Sequence, residues 1–330
     1  MSLPRVVVMT TGGTIASIKD PQTGAVRTAA TPEDLLALVP DIDEIARVEA
    51  RPKEAVNSWN MTPLMMLNLA HAAHRELSRA DIQGVVITHG TDTVEETAYL
   101  AHLTVDSDKP VVFVAAMRNL SESGPDGPRN LRDAIRVAVD GRSMDLGAML
   151  VVNETIHSAR YVTKTHTVNP STFASPHGGP IGEVTAIGVD YFGESGERPI
   201  LTPTNVDGNV PIIKTFTGMD GSILRYFRES SVDGIVIEGS GAGNVPGDIL
   251  PEISALVELG IPVILTTRCI GGPLAPIYGT GGASGGGHDL VEAGVSLASR
   301  LTAQKARIAL LALLGAGHST EAIRTWFSVA

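Results

Sequence analysis

Short apolar runs that do not alternate punctuate the sequence: Val6–Met9, Val85–Ile87, Val111–Ala116, Ala148–Val152, Gly234–Ile237 and Ile261–Leu265. A strand with one wet face has a polar residue at every second position. Runs rich in β-branched residues without that alternation belong to strands covered on both faces, as in a parallel sheet. Between them lie helical patterns. Thr62 followed by Pro63 is an N-cap and first-turn pair that opens a helix over Leu64–Ser78. Thr93–Leu103 and Asn130–Val139 carry helical spacing as well. Strand alternating with helix predicts a doubly wound α/β architecture.

A chain of 330 residues is too long for one comfortable core. The stretch Tyr191–Val210, rich in Gly, Pro, Asn and charge, interrupts the rhythm and marks a linker. The expected organisation is an N-terminal domain over residues 1–190, a linker over 191–212 and a C-terminal domain over 213–330. The second part ends in Thr302–Leu314, a capped helix with an apolar face, and in Thr320–Phe327; the tract Gly279–Gly287 reads as a mobile loop.

A formal charge of −11 with no basic stripe argues against nucleic acid and against an anionic membrane as partners. No apolar run reaches the roughly 18 residues that span a bilayer. The N-terminus MSLPRVVVMTT has one basic residue and runs straight into a strand, unlike a signal peptide, so a cytoplasmic protein is expected. Cys269, the single cysteine, excludes an intramolecular disulfide or a thiolate metal cluster.

Two glycine–threonine segments follow predicted strands at their C-terminal ends, TTGGTIA (Thr10–Ala16) and THGTDTVEET (Thr88–Thr97). That rim of an open α/β sheet is where ligands bind. A glycine turn after a strand is often only a turn, and TTGGT alone leaves both readings open. Phosphate is a poor fit, because neither GxxxxGK[ST] nor GxGxxG spacing occurs. The second segment sets Thr91 beside Asp92, Glu95 and Glu96, a negative surrounding suited to an ammonium group. Asp92 also fits an N-cap of the following helix. A threonine hydroxyl is a poor nucleophile until a neighbouring base or charge draws off its proton. That need directs attention to Lys164, in the hydroxyl-rich stretch YVTKTHT (Tyr161–Thr167), although a lone loop lysine is ordinarily a solvated charge.

Together these segments, with KPVVFVAAMRN, DGPRNLRDA and QKARIALL, resemble the bacterial-type L-asparaginase and glutaminase family over nearly the whole chain. The resemblance implies two α/β domains, a larger N-terminal one with a mostly parallel sheet flanked by helices and a smaller C-terminal one. It implies hydrolysis of L-asparagine to L-aspartate and ammonia without metal or cofactor, in a homotetramer assembled as a dimer of dimers. It carries the family nucleophile onto Thr14 and the second catalytic set onto Thr91, Asp92 and Lys164. It places the substrate α-carboxylate on Ser58 and the α-ammonium on Asp92, and has Asn244 reach a neighbouring subunit's site; the alternative for Asn244 is a plain turn residue in a glycine-rich loop.

The sequence departs from the family in three places. The segment Ser17–Thr31 lacks the tyrosine that many members carry after the nucleophile, with Arg27 or Thr28 in its region. Trp59 follows Ser58 where several members have glutamine, a substrate-side indole that either narrows the pocket or packs away from it. No acid stands in register at Gly285–His288, where some members carry an ammonium-binding glutamate, although Asp289 and Glu292 are close. Asparagine is expected to be preferred over glutamine, which is one methylene longer, a difference typically worth about 1–3 kcal/mol.

His71 and His74 lie three apart on a predicted helix, yet no HExxH or third ligand accompanies them, so a surface or interface role is favoured over metal. His89 is expected to pack or bond structurally, and Met61, Met65 and Met66 to fill core or interface. Two rival functions remain. One is an amidotransferase subunit that releases ammonia for a tRNA-bound substrate; such subunits usually carry an added N-terminal domain, for which a TTGGT beginning at residue 10 leaves no room. The other is a non-catalytic amino-acid-binding protein, which would need no Thr14, Thr91, Asp92 and Lys164.

Overall fold

The structure is a computed structural model that describes every residue except 1, 2, 21, 29, 40, 197, 280–283 and 330, and only the backbone of 26–28. Contacts divide the chain into two compact units, Met1–Ile200 and Leu201–Ala330.

The first unit contains β1 (Arg5–Thr10), β2 (Ser17–Lys19), β3 (Val26–Thr28), α1 (Pro32–Ala37), α2 (Ile42–Ile45), β4 (Arg47–Pro52), α3 (Pro63–Leu77), β5 (Ile82–Thr88), α4 (Val94–Thr104), β6 (Val111–Val114) and α5 (Gly127–Val139). After these come β7 (Ala148–Val152), β8 (Thr155–Ser158), β9 (Thr163–Lys164), β10 (Phe173–Ala174), β11 (Gly182–Val184) and β12 (Val189–Tyr191). Its main sheet runs β12–β11–β8–β7–β6–β5–β1–β4. It is parallel from β4 through β1, β5 and β6 to β7, and antiparallel from β7 to β12. The sheet is thus mixed, and the reversal has a local cause. Asn153 and Glu154, with φ of 50° and 64°, form the whole connection between β7 and β8. A two-residue turn with both φ positive matches the strand twist and closes a hairpin.

The non-alternating runs are explained by burial on both faces. Val7, Met9, Val85 and Ile87 pack with α3 and α4 on one side. Val6, Val8, Val86 and Val112 pack with Leu131, Ala134 and Ile135 of α5 on the other. Each such side chain contributes roughly 1.5–3 kcal/mol by leaving water. The edge strand β4 is guarded instead by charge: Glu49 meets Arg51 at 2.7 Å, Arg79 at 3.0 Å and also Arg5. Hydrogen bonds from Arg79 above all hold the Glu49 carboxyl down at about 2. Charged side chains on an exposed edge discourage pairing with another chain.

Helix starts follow their caps. Thr62 accepts from Met65 N at the head of α3. α5 begins at Gly127, three residues ahead of the expected Asn130, with a proline in its first turn.

The second unit carries β13 (Ile212–Lys214), α6 (Ser222–Glu229), β14 (Ile235–Gly239), α7 (Leu250–Glu258), β15 (Val263–Thr267), α8 (Gly287–Glu292), β16 (Ser296–Leu297), α9 (Ala303–Gly315) and α10 (Thr320–Val329). Its sheet, β13–β14–β15–β16, is parallel throughout. Ile235, Ile237, Ile253, Leu256 and Leu265 form its core. Thr302 caps α9 by accepting from Lys305 N. Within the stretch read as a linker, Arg198 donates to the carbonyls of Val105 and Ser107, and Thr204 Oγ1 donates to Gly315 O. Each end is therefore tied to its own unit.

Candidate active site

The order β4–β1–β5–β6 places a topological switch between β1 and β5. The chain leaves β1 toward β4 on one side and leaves β5 toward β6 on the other. Loops diverging there open a crevice at the carboxyl ends of the strands. The two loops at this point are the glycine–threonine segments.

They touch through backbone. Gly13 has φ +89°, and a Cβ on it would fall 2.6 Å from Gly90 N and 2.8 Å from Gly90 Cα. Only glycine meets both the dihedral and the space. Just beyond this contact, Thr14 opens a 3-10 turn over Thr14–Ala16. Ile15 is buried beneath it, and Thr14 itself is half-buried, its hydroxyl making no hydrogen bond among the described residues. Ser17 Oγ donates to Gly13 O at 2.8 Å and closes the turn.

On the other side of the contact, Thr91 is buried and receives a hydrogen bond from Lys164 Nζ at 2.8 Å. The same ammonium lies 2.8 Å from Asp92 Oδ1. The cap of α4 is Thr93, without a side-chain cap bond, so Asp92 does not cap the helix; its carboxylate goes to the lysine. The backbone N–H of Lys164 donates to Glu95 Oε2 at 2.6 Å. Part of the negative charge noted around this helix start is thus turned inward onto the protein.

Ser58 sits in a second 3-10 turn, Ser58–Asn60, and is buried. Its Oγ accepts from Asp92 N at 3.3 Å, and its carbonyl accepts from Thr93 Oγ1 at 2.7 Å. Gly90 admits it closely, since a Cβ there would lie 2.6 Å from Ser58 Oγ. Trp59 next door is 66% exposed. His89 is fully buried: Nδ1–H donates to Gly90 O at 2.8 Å and Nε2 accepts from Thr97 Oγ1 at 3.0 Å. Burial pushes its pKa down to about 4, so the ring is neutral and structural near pH 7.

Thr14, Thr91, Asp92, Lys164 and Ser58 thus lie on segments joined by direct contacts within the first unit. Asn244 belongs to the second unit, where its Oδ1 accepts from Gly287 N at 3.2 Å and its backbone N–H donates to Ser240 O. The segment after Thr14 is a hairpin of β2 on β3, tied to the loop after β6 by Lys19 N donating to Ser121 Oγ. The side chains of Arg27 and Thr28, raised as occupants of the tyrosine's region, lie outside the described residues. So do residues 280–283 of the glycine tract. Asp289, on α8, is buried and accepts from Ser284 Oγ at 2.6 Å.

Two features escaped sequence reasoning, the grip of Glu95 on Lys164 and that of Thr93 on the Ser58 turn. The only hint of the first was a glutamate in the opening turn of a helix. DGPRNLRDA has a plainer role: Asp126 accepts from Met117 N and Arg118 N, and Asn130 Nδ2 donates to Ala115 O, fixing the loop after β6.

The family model described as "Asparaginase, N-terminal" matches residues 5–196, and "Glutaminase/Asparaginase C-terminal domain" matches residues 209–327. The chain belongs to the asparaginase family. This asparaginase-family chain is 40% identical to a probable L-asparaginase of Deinococcus radiodurans, over 99% of its own length and 98% of that protein's. It is 33% identical to a glutamyl-tRNA(Gln) amidotransferase chain of Pyrococcus horikoshii, over 98% of its own length and 74% of that protein's. The crystal structure of a probable cytoplasmic L-asparaginase from Campylobacter jejuni, 30% identical, superposes with a TM-score of 0.86, covering 99% of this chain and 100% of that one.

Proposed function

We propose that the chain hydrolyses L-asparagine to L-aspartate and ammonia, with Thr14 as nucleophile and slower turnover of L-glutamine. The observation that carries this is the Lys164 ammonium placed 2.8 Å from both Thr91 Oγ1 and Asp92 Oδ1, beside the Gly13–Gly90 contact. Thr14 Oγ attacks the side-chain amide carbon, the C–N bond breaks as ammonia leaves, and water hydrolyses the resulting ester. A positive charge on Lys164 lowers the cost of deprotonating Thr91, so Thr91 can activate the attacking hydroxyl or water. Ser58 Oγ, accepting from Asp92 N, keeps its own O–H free to donate a hydrogen bond to the substrate's α-carboxylate. Asp92, 46% exposed at its side chain, offers its second oxygen to the α-ammonium. Trp59 lines the same side of the substrate and favours the shorter amide.

The assembly proposed is a homotetramer in the cytoplasm, in which Asn244 reaches a neighbouring copy. The Deinococcus and Campylobacter relatives support the hydrolase. The amidotransferase relative supports a second reading, ammonia release coupled to a tRNA-bound acceptor, with lower identity and coverage than the Deinococcus protein. No helix among the described residues is long and apolar enough to cross a membrane.

The test is ammonia release from L-asparagine and L-glutamine by the purified chain alone. Release of ammonia from asparagine without any partner is expected, with a covalent adduct at Thr14 seen by mass spectrometry after rapid quench. No release sinks the hydrolase, and an adduct at Thr91 instead reassigns the nucleophile. Sedimentation of the same sample reads the oligomeric state.

A further inference from the structure

We propose that Glu95 is a positioning residue for Lys164: its buried carboxylate, accepting the Lys164 backbone N–H at 2.6 Å, fixes where the ammonium falls relative to Thr91 and Asp92. This rests on the role given to Lys164 above.

Lys164 has little else to hold it. It lies on β9, two residues paired only with β10, outside the main sheet. In an antiparallel pair, hydrogen-bonded and non-bonded partners alternate. Thr165 N donates to Thr172 O at 2.7 Å, so the neighbouring partners Lys164 and Phe173 form the non-bonded pair. The Lys164 N–H therefore points away from β10 and out of the ladder. Glu95 is the acceptor it finds.

Glu95 comes from the opening turn of α4, three residues after Asp92. A carboxylate there complements the positive end of the helix dipole, and a charged acceptor makes a strong hydrogen bond to a backbone N–H. The lysine is thereby gripped at both ends by one segment, its ammonium by Thr91 and Asp92 and its backbone by Glu95. Glu95 itself is 6% exposed and bonded to backbone, so it does not touch substrate.

The test compares Glu95→Gln, Glu95→Ala and Glu95→Asp in the full chain. Glutamine keeps an acceptor at the same reach, alanine removes it, and aspartate falls one methylene short. With asparagine as substrate, kcat is expected to fall about 10²-fold in Glu95→Ala and Glu95→Asp, as for a misplacement near 1 Å, with KM little changed. Glu95→Gln is expected to stay near wild type.

The readout independent of activity is acetylation of Lys164 by acetic anhydride, followed by mass spectrometry with Lys19, Lys53 and Lys214 as internal references. Acetylation of Lys164 should rise at least about fivefold in the alanine and aspartate variants and stay low in the glutamine variant, because a released amine samples solvent more often. Unchanged Lys164 acetylation in a folded alanine or aspartate variant overturns the proposal, as does a glutamine variant as impaired as alanine. If alanine does not fold, aspartate against glutamine carries the decision. A wild type that releases no ammonia sinks the hydrolase reading, while the acetylation pattern still decides the role of Glu95.

Discussion

The two loops at the switch between β1 and β5 treat the hydroxyls of Thr14 and Thr91 in opposite ways. The loop after β5 is tied down at almost every residue. His89 holds Gly90 O, Lys164 holds Thr91 and Asp92, Ser58 accepts from Asp92 N, and Thr93 holds the Ser58 turn. The loop after β1 carries Thr14, whose hydroxyl is left unbonded among the described residues, on a turn anchored by Ile15 beneath and Ser17 behind. A hydroxyl that must attack and then carry an acyl group cannot be committed to the protein, whereas the group that polarises it gains from rigidity. The difference between the loops is thus a division of labour on the proposed reaction coordinate.

The sharpest way to break this comparison is to remove the hydroxyls. Thr14→Ala is expected to abolish covalent adduct formation and lower kcat/KM for asparagine by about 10³-fold or more. Thr91→Ala should fall as far in rate while leaving the fold intact by circular dichroism. Equal retention of activity in both variants would remove the basis for the comparison. Lys164→Met, which keeps the stem and deletes the charge, is expected to cost about 10²–10³-fold in kcat, read by steady-state kinetics.

A smaller effect is expected where the held loop meets its support. Gly90→Ala drives a methyl within 2.6 Å of Ser58 Oγ and 2.8 Å of Ser58 Cβ. The displaced serine should raise KM about tenfold, roughly 1.4 kcal/mol of binding, with kcat changed less. A larger fall in kcat than rise in KM would mean that Gly90 guards chemistry rather than substrate anchoring.

The smallest effect on turnover is expected for a residue outside both loops. Asp133, on α5, is buried, with Oδ2 unpaired among the described residues, and burial pushes its pKa from 3.8 up to about 6. The folded chain therefore holds this proton more tightly than the unfolded chain. Its contribution to stability is full below pH 3.8 and is lost as pH rises through 6. Asp133→Asn should raise the melting temperature by a few degrees at pH 7–8, about 1–2 kcal/mol, with the gain shrinking toward pH 4 and kcat unaltered.

Much of the architecture was legible because β1, β5, β6, β7, β14 and β15 are buried on both faces and so lose the alternation of half-wet strands. The strand β4 was not. Its Arg47, Glu49 and Arg51 alternate with Val48 and Ala50 instead of forming an apolar run, and its parallel pairing with β1 makes it an edge strand. The strands β8, β11 and β12 escaped because they are three or four residues long and owe their placement to the turn at Asn153–Glu154. In the site, the two glycine–threonine segments announced themselves as loops after strands. Lys164 drew attention through the need of a threonine nucleophile for a basic neighbour, and the family resemblance then gave it a role, since a loop lysine has no local signature. Glu95 was legible only as charge, because its partner is a backbone N–H 69 positions away, which any residue type except proline supplies.

The meeting of Gly13 with Gly90 sets a length in the molecule by the thickness of two main chains. No rotamer enters that length, so exchanging interior side chains, or warming that loosens them, leaves it nearly constant. The separation of the two threonine-bearing turns behaves like a fixed gauge, and any side chain added at Gly13 resets it for both turns at once.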